Sequence, residues 1–356
     1  MSYKPMSFTP KFTITEKILN NLTLIASARE VIEQSYLVPK WEATLRRQAK
    51  LHNTHSSTAI EGNKLTLEQV EVLANGKDVI ATDKDKKEVL NYLEALDRLH
   101  AFTEKGKIMV EDLLEIHGIV SKDVLRDNKH CGVFRDRQVF VGRRVFDGTR
   151  FKEEVEYMPP KAKEVPGLVK EFVGWLNREK TWEINPVILA GIAHYEIARI
   201  HPFVDGNGRT ARLFAALILY LNRFDHRRFF ALDDFYDRDR QAYYAALKTA
   251  QEYNNDITMW LEYFTTGVAY SVNEVKEAVL KLGSRKKRIS KTQVSLTDKQ
   301  MKIVEFLNTH GKAANKDFQG LFKISAQAVH KELTKLVELK VIKPLGAGRS
   351  LYYVLE

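Results

Sequence analysis

Residues 187–221 read VILAGIAHYEIARI (187–200), HPFVDGNGR (201–209) and TARLFAALILYL (210–221). The two outer stretches are apolar around their whole circumference, as expected of helices buried at the centre of a core. Between them lies a polar turn of nine residues. Pro202 disfavours helical geometry at the residue before it, so the first helix is expected to stop at His201. The chain should therefore be mainly α, built around two central helices joined by a functional turn.

That turn concentrates several chemistries within twelve residues. Gly206 and Gly208 permit left-handed or crowded backbone, and consecutive N–H groups there can form an anion-binding nest. The nest opens onto a helix N-terminus, where free N–H groups and the helix dipole favour phosphate. Arg209 and Arg212, three residues apart, share a helix face and can clamp further phosphate oxygens. Asp205 is a hard oxygen ligand suited to Mg²⁺. His201 titrates near neutrality and can take a proton from a hydroxyl nucleophile. Taken singly these features are ordinary: a GxG is a turn, and Asp205 with Arg209 can be a local ion pair. Neither a Walker A loop nor a Rossmann fingerprint fits, because no Gly-Lys-Ser/Thr follows and the preceding element is helical.

Outward from this centre, Glu88–Phe102, Leu168–Leu176 and Ile257–Phe264 repeat apolar residues at helical spacing, and Thr66 with Gln69 forms a capping-box start with Gly76 as a stop. Gly132–Val145 (GVFRDRQVFVGRRV) alternates and reads as a short β-hairpin, followed by a loop containing Pro159-Pro160. From Leu296 onward three helical patterns, 297–308, 315–322 and 325–339, precede extended runs at 341–344 and 351–355 with a basic tip at Arg349.

The chain has 356 residues and a formal charge of +10, of which residues 285–356 hold +9 and residues 1–284 only +1. The division falls in the basic stretch Gly283-Ser284-Arg285-Lys286-Lys287-Arg288. No run approaches 18 apolar residues, so no membrane span is expected. The first residues lack a secretory h-region. Cys131 is the sole cysteine, which excludes an internal disulfide framework and a multi-cysteine zinc site and makes the cytoplasm the expected compartment.

His201–Arg212, HPFVDGNGRTAR, resembles the signature of the Fic (filamentation-induced-by-cAMP) family, HPFx[D/E]GNGRxxR, at every position. The resemblance extends over residues 50–265 and implies an all-helical Fic-type core with a β-hairpin flap, here placed at Arg137–Val145. It implies transfer of AMP from ATP, with Mg²⁺, onto a protein Ser, Thr or Tyr hydroxyl. His201 would be the base and Asp205 the metal ligand. Gly206, Asn207 and Gly208 would cradle phosphates, followed by Arg209, Thr210, Ala211 and Arg212. Tyr243 and Tyr244 would wall the adenine pocket, or pack as ordinary helix residues. Val141 and Gly142 on the flap would align the target by strand addition.

Ser57-Thr58-Ala59-Ile60-Glu61-Gly62 is similar to the family's inhibitory pattern [S/T]xxxE[G/N], which implies that Glu61 occupies Arg212 in place of the γ-phosphate. In some relatives that glutamate supports removal of AMP, so a silent transferase and a bifunctional one both remain open. The C-terminal helices and extended runs look like a winged helix-turn-helix. Ser325 would be the N-cap of the recognition helix, with Gln327, Ala328 and Lys331 exposed near its start. That domain would bind DNA, or else protein.

The expected organisation is 1–105, a helical region with the inhibitory motif at 57–62; 106–283, the Fic core; 284–295, a basic linker; and 296–356, the winged helix. The expected partners are a protein substrate, the chain itself as a target, a homodimer mate, and DNA, with no membrane. The alternative function is a DNA-binding regulator whose Fic core only senses a nucleotide. A related transferase of UMP or phosphocholine also fits the motif.

Overall fold

The computed structural model describes residues 8–356 except 36, 104, 147–148, 226, 253–254 and 285–295. The expected linker at 284–295 therefore lies almost wholly outside the described residues. The helices are α1 (Glu16–Gln34), α2 (Pro39–Ile60), α3 (Leu67–Ala74), α4 (Asp83–Thr103) and α5 (Val110–Ser121), followed by strands β1 (Val141–Phe146) and β2 (Phe151–Tyr157). Then come α6 (Val165–Leu176), α7 (Pro186–Ile200), α8 (Asn207–Leu221), α9 (Leu232–Arg238), α10 (Arg240–Glu252) and α11 (Thr258–Ser284). The chain ends with α12 (Asp298–His310), α13 (Asn315–Phe322), α14 (Ala326–Glu338), β3 (Ile342–Leu345) and β4 (Tyr352–Leu355). No helix among the described residues is long and apolar enough to cross a membrane.

Two compact units divide the chain. The first takes the described residues of Met1–Ala26, Leu51–His226 and Ala231–Ser271; the second takes those of Ser27–Lys50, Arg227–Phe230 and Val272–Glu356. In the first unit, α7 is buried on every side, including Val187, Leu189, Ile192, Tyr195, Ile197 and Ile200. Asn185 caps its start by accepting a hydrogen bond from the Val187 N–H, with Pro186 at the first helical position. Helix α8 packs along α7 and is similarly enclosed. The α11 side chain Trp260 donates to the Gly191 carbonyl at 2.8 Å. This approach is possible because residue 191 is glycine: a Cβ would stand 2.8 Å from Leu261 and 3.0 Å from Phe264. Helix α3 begins with the capping box of Thr66 and Gln69, and Gly76 follows its end at φ +73°.

In the second unit, Thr297 caps α12 with a capping box to Gln300, and Ser325 caps α14 by accepting from the Ala328 N–H. Met301, Val304, Leu307, Phe318, Leu333 and Leu336 form its apolar core together with Ala43 of α2. Strands β3 and β4 pair antiparallel.

The β-hairpin lies at 141–157, where β1 and β2 pair antiparallel, and not at 132–145. Residues 133–140 contain no strand, and the stretch read as a loop, FKEEVEY, is the second strand. The overlooked signal is Asp147-Gly148, a pair that favours tight hairpin turns. The basic residues of β1 drew the turn too early.

Gly191→Val should introduce overpacking of about 1–3 kcal/mol between α7 and α11. Thermal melting should show a midpoint several degrees lower; an unchanged midpoint would mean that the two helices can separate without loss.

Candidate active site

The motif turn is framed by two left-handed residues. His201 ends α7 at φ +51°, its N–H donating to the Ile197 carbonyl, and Gly206 caps α8 at φ +78°. Between them the Asn207 side chain braces the loop, accepting from the Phe203 N–H and donating to the Phe203 carbonyl, both at 2.9 Å. Thr210 donates its hydroxyl back to the Gly206 carbonyl at 2.8 Å. The Asn207 and Thr210 side chains are thus spent on the turn itself, and only backbone groups at the start of α8 are left for a ligand. Ala211, fully buried, packs in the core.

His201 lies with Nδ1 3.3 Å from the Ala198 carbonyl. A carbonyl only accepts, so Nδ1 carries the proton and Nε2 is left with its lone pair. Burial pushes the imidazole pKa down to about 4, against smaller upward pulls from the Ala198 carbonyl and Glu61. His201 is therefore neutral at physiological pH, the state a general base requires.

Asp205 is half exposed, and one carboxylate oxygen accepts from the Gly206 N–H while standing 3.8 Å from Arg209. Arg209 is buried, 3.3 Å from Glu88, and its Nε and Nη1 have no hydrogen-bond partner. Arg212 is buried on the next turn. Its Nε donates to the Ser57 hydroxyl at 2.7 Å, and Nη2 donates to the Ser57 carbonyl at 2.9 Å and to Glu61 Oε1 at 2.8 Å. Burial lowers the Arg212 pKa, but Glu61 and the nearby Tyr243, Asp233 and Tyr92 outweigh it and hold the group well above its ordinary value. Its Nη1 is also left without a partner.

Glu61 follows the last residue of α2, and its carboxylate stands over Gly208, where any Cβ would collide with Oε1. An anion therefore sits at the N-terminus of α8 beside two incompletely satisfied arginines. The segment carrying it is pinned twice more. Tyr92 donates to Asp233 at 2.6 Å, Asp233 is also bonded to Ser57, and Asp234 of α9 accepts from Ser56 and bonds His52 Nδ1 at 2.8 Å. Asn63 donates to Glu88 at 3.0 Å, which links the end of the segment to the Arg209 pair.

Tyr243 is buried, stacks on Tyr236 at 4.7 Å and bonds His194 Nε2 at 2.8 Å, so its ring belongs to the core. Tyr244 is 42% exposed and donates to the Ile60 carbonyl at 3.3 Å, next to Glu61. Tyr243 also reaches the site from the core side, bonding Arg212, while Tyr244 meets it from the exposed side. Val141 and Gly142 lie at the start of β1, at an irregularity in the strand register. A Cβ at Gly142 would collide with the Glu154 carbonyl, so the bulge depends on glycine there.

Two site residues outside the motif escaped sequence reading. His117 stacks on Phe203 at 3.6 Å, accepts the Gly132 N–H at Nδ1, and donates from Nε2 to the Asp205 carbonyl at 3.0 Å. Arg135 bonds the carbonyl of His201 at 2.8 Å.

Comparison with known proteins follows the same geometry. Residues 107–219 match the Fic/DOC family. The chain carries a Fic domain. The protein adenylyltransferase Fic of Drosophila willistoni is 31% identical over 217 residues, covering 58% of this chain and 39% of that protein. The protein adenylyltransferase fic-1 of Caenorhabditis elegans is 34% identical over 185 residues, 51% of this chain and 34% of that protein. The chain thus spans well under half the length of these curated relatives. A Fic family protein from Desulfovibrio desulfuricans G20 shares the fold over 98% of both chains, with a TM-score of 0.64 at 24% identity. A Fic-1 fragment of C. elegans covers 74% of each chain, with a TM-score of 0.59 at 26% identity. The Fic domain is the helical core around α7 and α8 expected from the motif.

The buried imidazoles of His117 and His194 and the half-buried one of His201 have pKa values pushed below 6.5, chiefly by desolvation. On unfolding they regain the ordinary value and bind protons, so stability is full above pH 6.5 and is lost as pH falls towards about 4. Each contributes at most about 1.4 kcal/mol per pH unit in that window. Calorimetric melts between pH 7 and 5 should show a steep fall in midpoint; a flat profile would mean that the folded chain binds these protons.

Proposed function

We propose that the chain transfers AMP from ATP to a Ser, Thr or Tyr hydroxyl of a protein, releasing pyrophosphate, and that Glu61 restrains this reaction. The observation that carries the reading is the Glu61 carboxylate seated on the N-terminus of α8, over Gly208 and bonded to Arg212. It marks a site already built to hold an anion. The names of the relatives, protein adenylyltransferases, supply the transferred group.

In this reading the target hydroxyl gives its proton to His201 Nε2, its oxygen bonds the α-phosphorus, and the bond to pyrophosphate breaks. The free N–H groups of α8 and the unpartnered donors of Arg209 take up phosphate charge. Asp205 would offer its exposed carboxylate to a Mg²⁺ ion, a hard cation that takes oxygen ligands. When bound, the ion supplies charge neutralisation along the polyphosphate.

Glu61 competes for Arg212. While the carboxylate is docked, Arg212 cannot receive the γ-phosphate, and the nucleotide lacks its outer anchor. Withdrawing Glu61 removes the carboxylate that Arg212 Nη2 donates to and leaves the buried cation to Ser57 and the nearby Asp233, a deficit that an incoming anion relieves. Glu61→Gly incubated with α-labelled ATP, Mg²⁺ and lysate should raise label incorporation at least on the order of tenfold over wild type. Adding His201→Ala should abolish transfer while ATP still binds. Equal labelling of wild type and Glu61→Gly would sink the restraint, and transfer by the double variant would sink the base assignment.

A second reading concerns the C-terminal unit. The outward face of α14 carries Gln327, His330, Lys331, Thr334 and Lys335, all exposed, while Glu332 turns inward to Gln300 at 2.9 Å. A polar, basic helix face beside a hairpin bearing the exposed Lys343 suits the major groove and flanking phosphates of DNA. Fluorescence anisotropy with a mixed-sequence duplex should show binding that weakens with salt and falls severalfold in Lys331→Glu. Absence of binding at low salt would leave protein as the partner.

A further inference from the structure

Arg135 is 2% exposed, and among the described residues no carboxylate pairs with it. A buried cation without a counter-ion is costly, so what replaces the counter-ion is informative. Each nitrogen of its guanidinium donates to a backbone carbonyl. Nε donates to His201 at 2.8 Å, Nη1 to Arg137 at 3.2 Å, and Nη2 to Pro160 and, at 3.5 Å, to Ile200. The Arg135 N–H also donates to the Pro202 carbonyl at 2.9 Å.

These carbonyls belong to two places. Ile200 and His201 lie at the C-terminal end of α7, where carbonyls lack helical partners and the helix dipole is negative, so a guanidinium is stabilised there without a carboxylate. Arg137 and Pro160 are the two roots of the hairpin, one before β1 and the other after β2. Tyr157, the last residue of β2, makes a parallel tie by donating its hydroxyl to the Arg199 carbonyl at 2.8 Å. Gln138 closes the roots on each other, donating to the Pro159 carbonyl at 3.0 Å.

We propose that Arg135, seconded by Tyr157, is the positioning residue that fixes the β1–β2 hairpin relative to His201, so that a hydroxyl presented along the hairpin meets the base in register. This role rests on the AMP-transfer reading. The hairpin has no other sheet to lean on, because β1 and β2 form a two-stranded sheet alone. An isolated hairpin is marginal in water and needs docking to hold a defined place. Its placement therefore depends on its roots, and both roots are tied to the end of the helix that carries His201. A displacement of about 1 Å between base and acceptor can cost on the order of a hundredfold in rate. Lysine at 135 would keep the charge but not the planar fork that reaches both roots and the helix end together.

The test uses the full chain in the Glu61→Gly background. Arg135→Lys should lower self-labelling from α-labelled ATP on the order of tenfold or more, with ATP affinity by calorimetry within about twofold of the parent. Hydrogen exchange at the amides of 141–157 should accelerate while α7 stays protected. Tyr157→Phe, which removes one hydroxyl and leaves charge and packing intact, should move labelling and exchange the same way by a smaller factor. Parental labelling in Arg135→Lys, parental exchange at the hairpin, or loss of ATP affinity together with labelling would each overturn the proposal. If the Glu61→Gly parent itself transfers no label, the AMP-transfer reading fails, and the exchange measurement alone decides whether Arg135 holds the hairpin.

Discussion

Two buried helices meet end to end at residues 201–206, and most of the site's chemistry follows from that meeting. Helix α7 arrives with its negative end and α8 departs with its positive end. The His201 ring and the Arg135 guanidinium gather at the first; the Glu61 carboxylate and the motif arginines gather at the second. Because both helices are largely enclosed by apolar side chains, most of the polar groups at these ends are satisfied by specific partners. The left-handed residues His201 and Gly206 make so short a connection feasible. Asn207 and His117 then hold its carbonyls and N–H groups in place from inside and beneath.

The segment that carries Glu61 is held at the site through a few polar contacts, without a large interface. Glu61 makes one ion pair to Arg212, but Asp233 and Asp234 grip the same helix turn through Ser57, Ser56 and His52. Asn63 and Glu88 extend the contact to Arg209. Arg209 and Arg212 are therefore both in contact with groups that hold the segment. Nucleotide binding and segment release, on the proposed reading, draw on the same cations and so oppose each other.

Much of this was legible in the sequence where function is compressed into contiguous residues. HPFVDGNGRTAR put His201, Asp205, the turn and both arginines together, because each is within a few residues of a helix end that the apolar pattern locates. Capping signals at Thr66, Thr297 and Ser325 were equally local and stand as expected. The hairpin was displaced by nine residues at its start because alternation over 132–145 is shared by extended chain that pairs with nothing. Tyr243 and Tyr244 are adjacent in sequence, yet one is core and the other faces Glu61; neighbours on a helix point about 100° apart, and sequence adjacency cannot choose between them.

His117 and Arg135 were illegible for a different reason. Their partners are backbone carbonyls and N–H groups contributed by remote segments, and a carbonyl has no sequence identity. A carboxylate partner for Arg135 would have left a charge pattern to notice; a helix end leaves none. Yet these contacts determine whether the motif residues point usefully, since Arg135 holds the carbonyl of His201 and His117 that of Asp205. The motif supplies reactive groups, and the geometry that makes them reactive is set by residues whose spacing carries no signature.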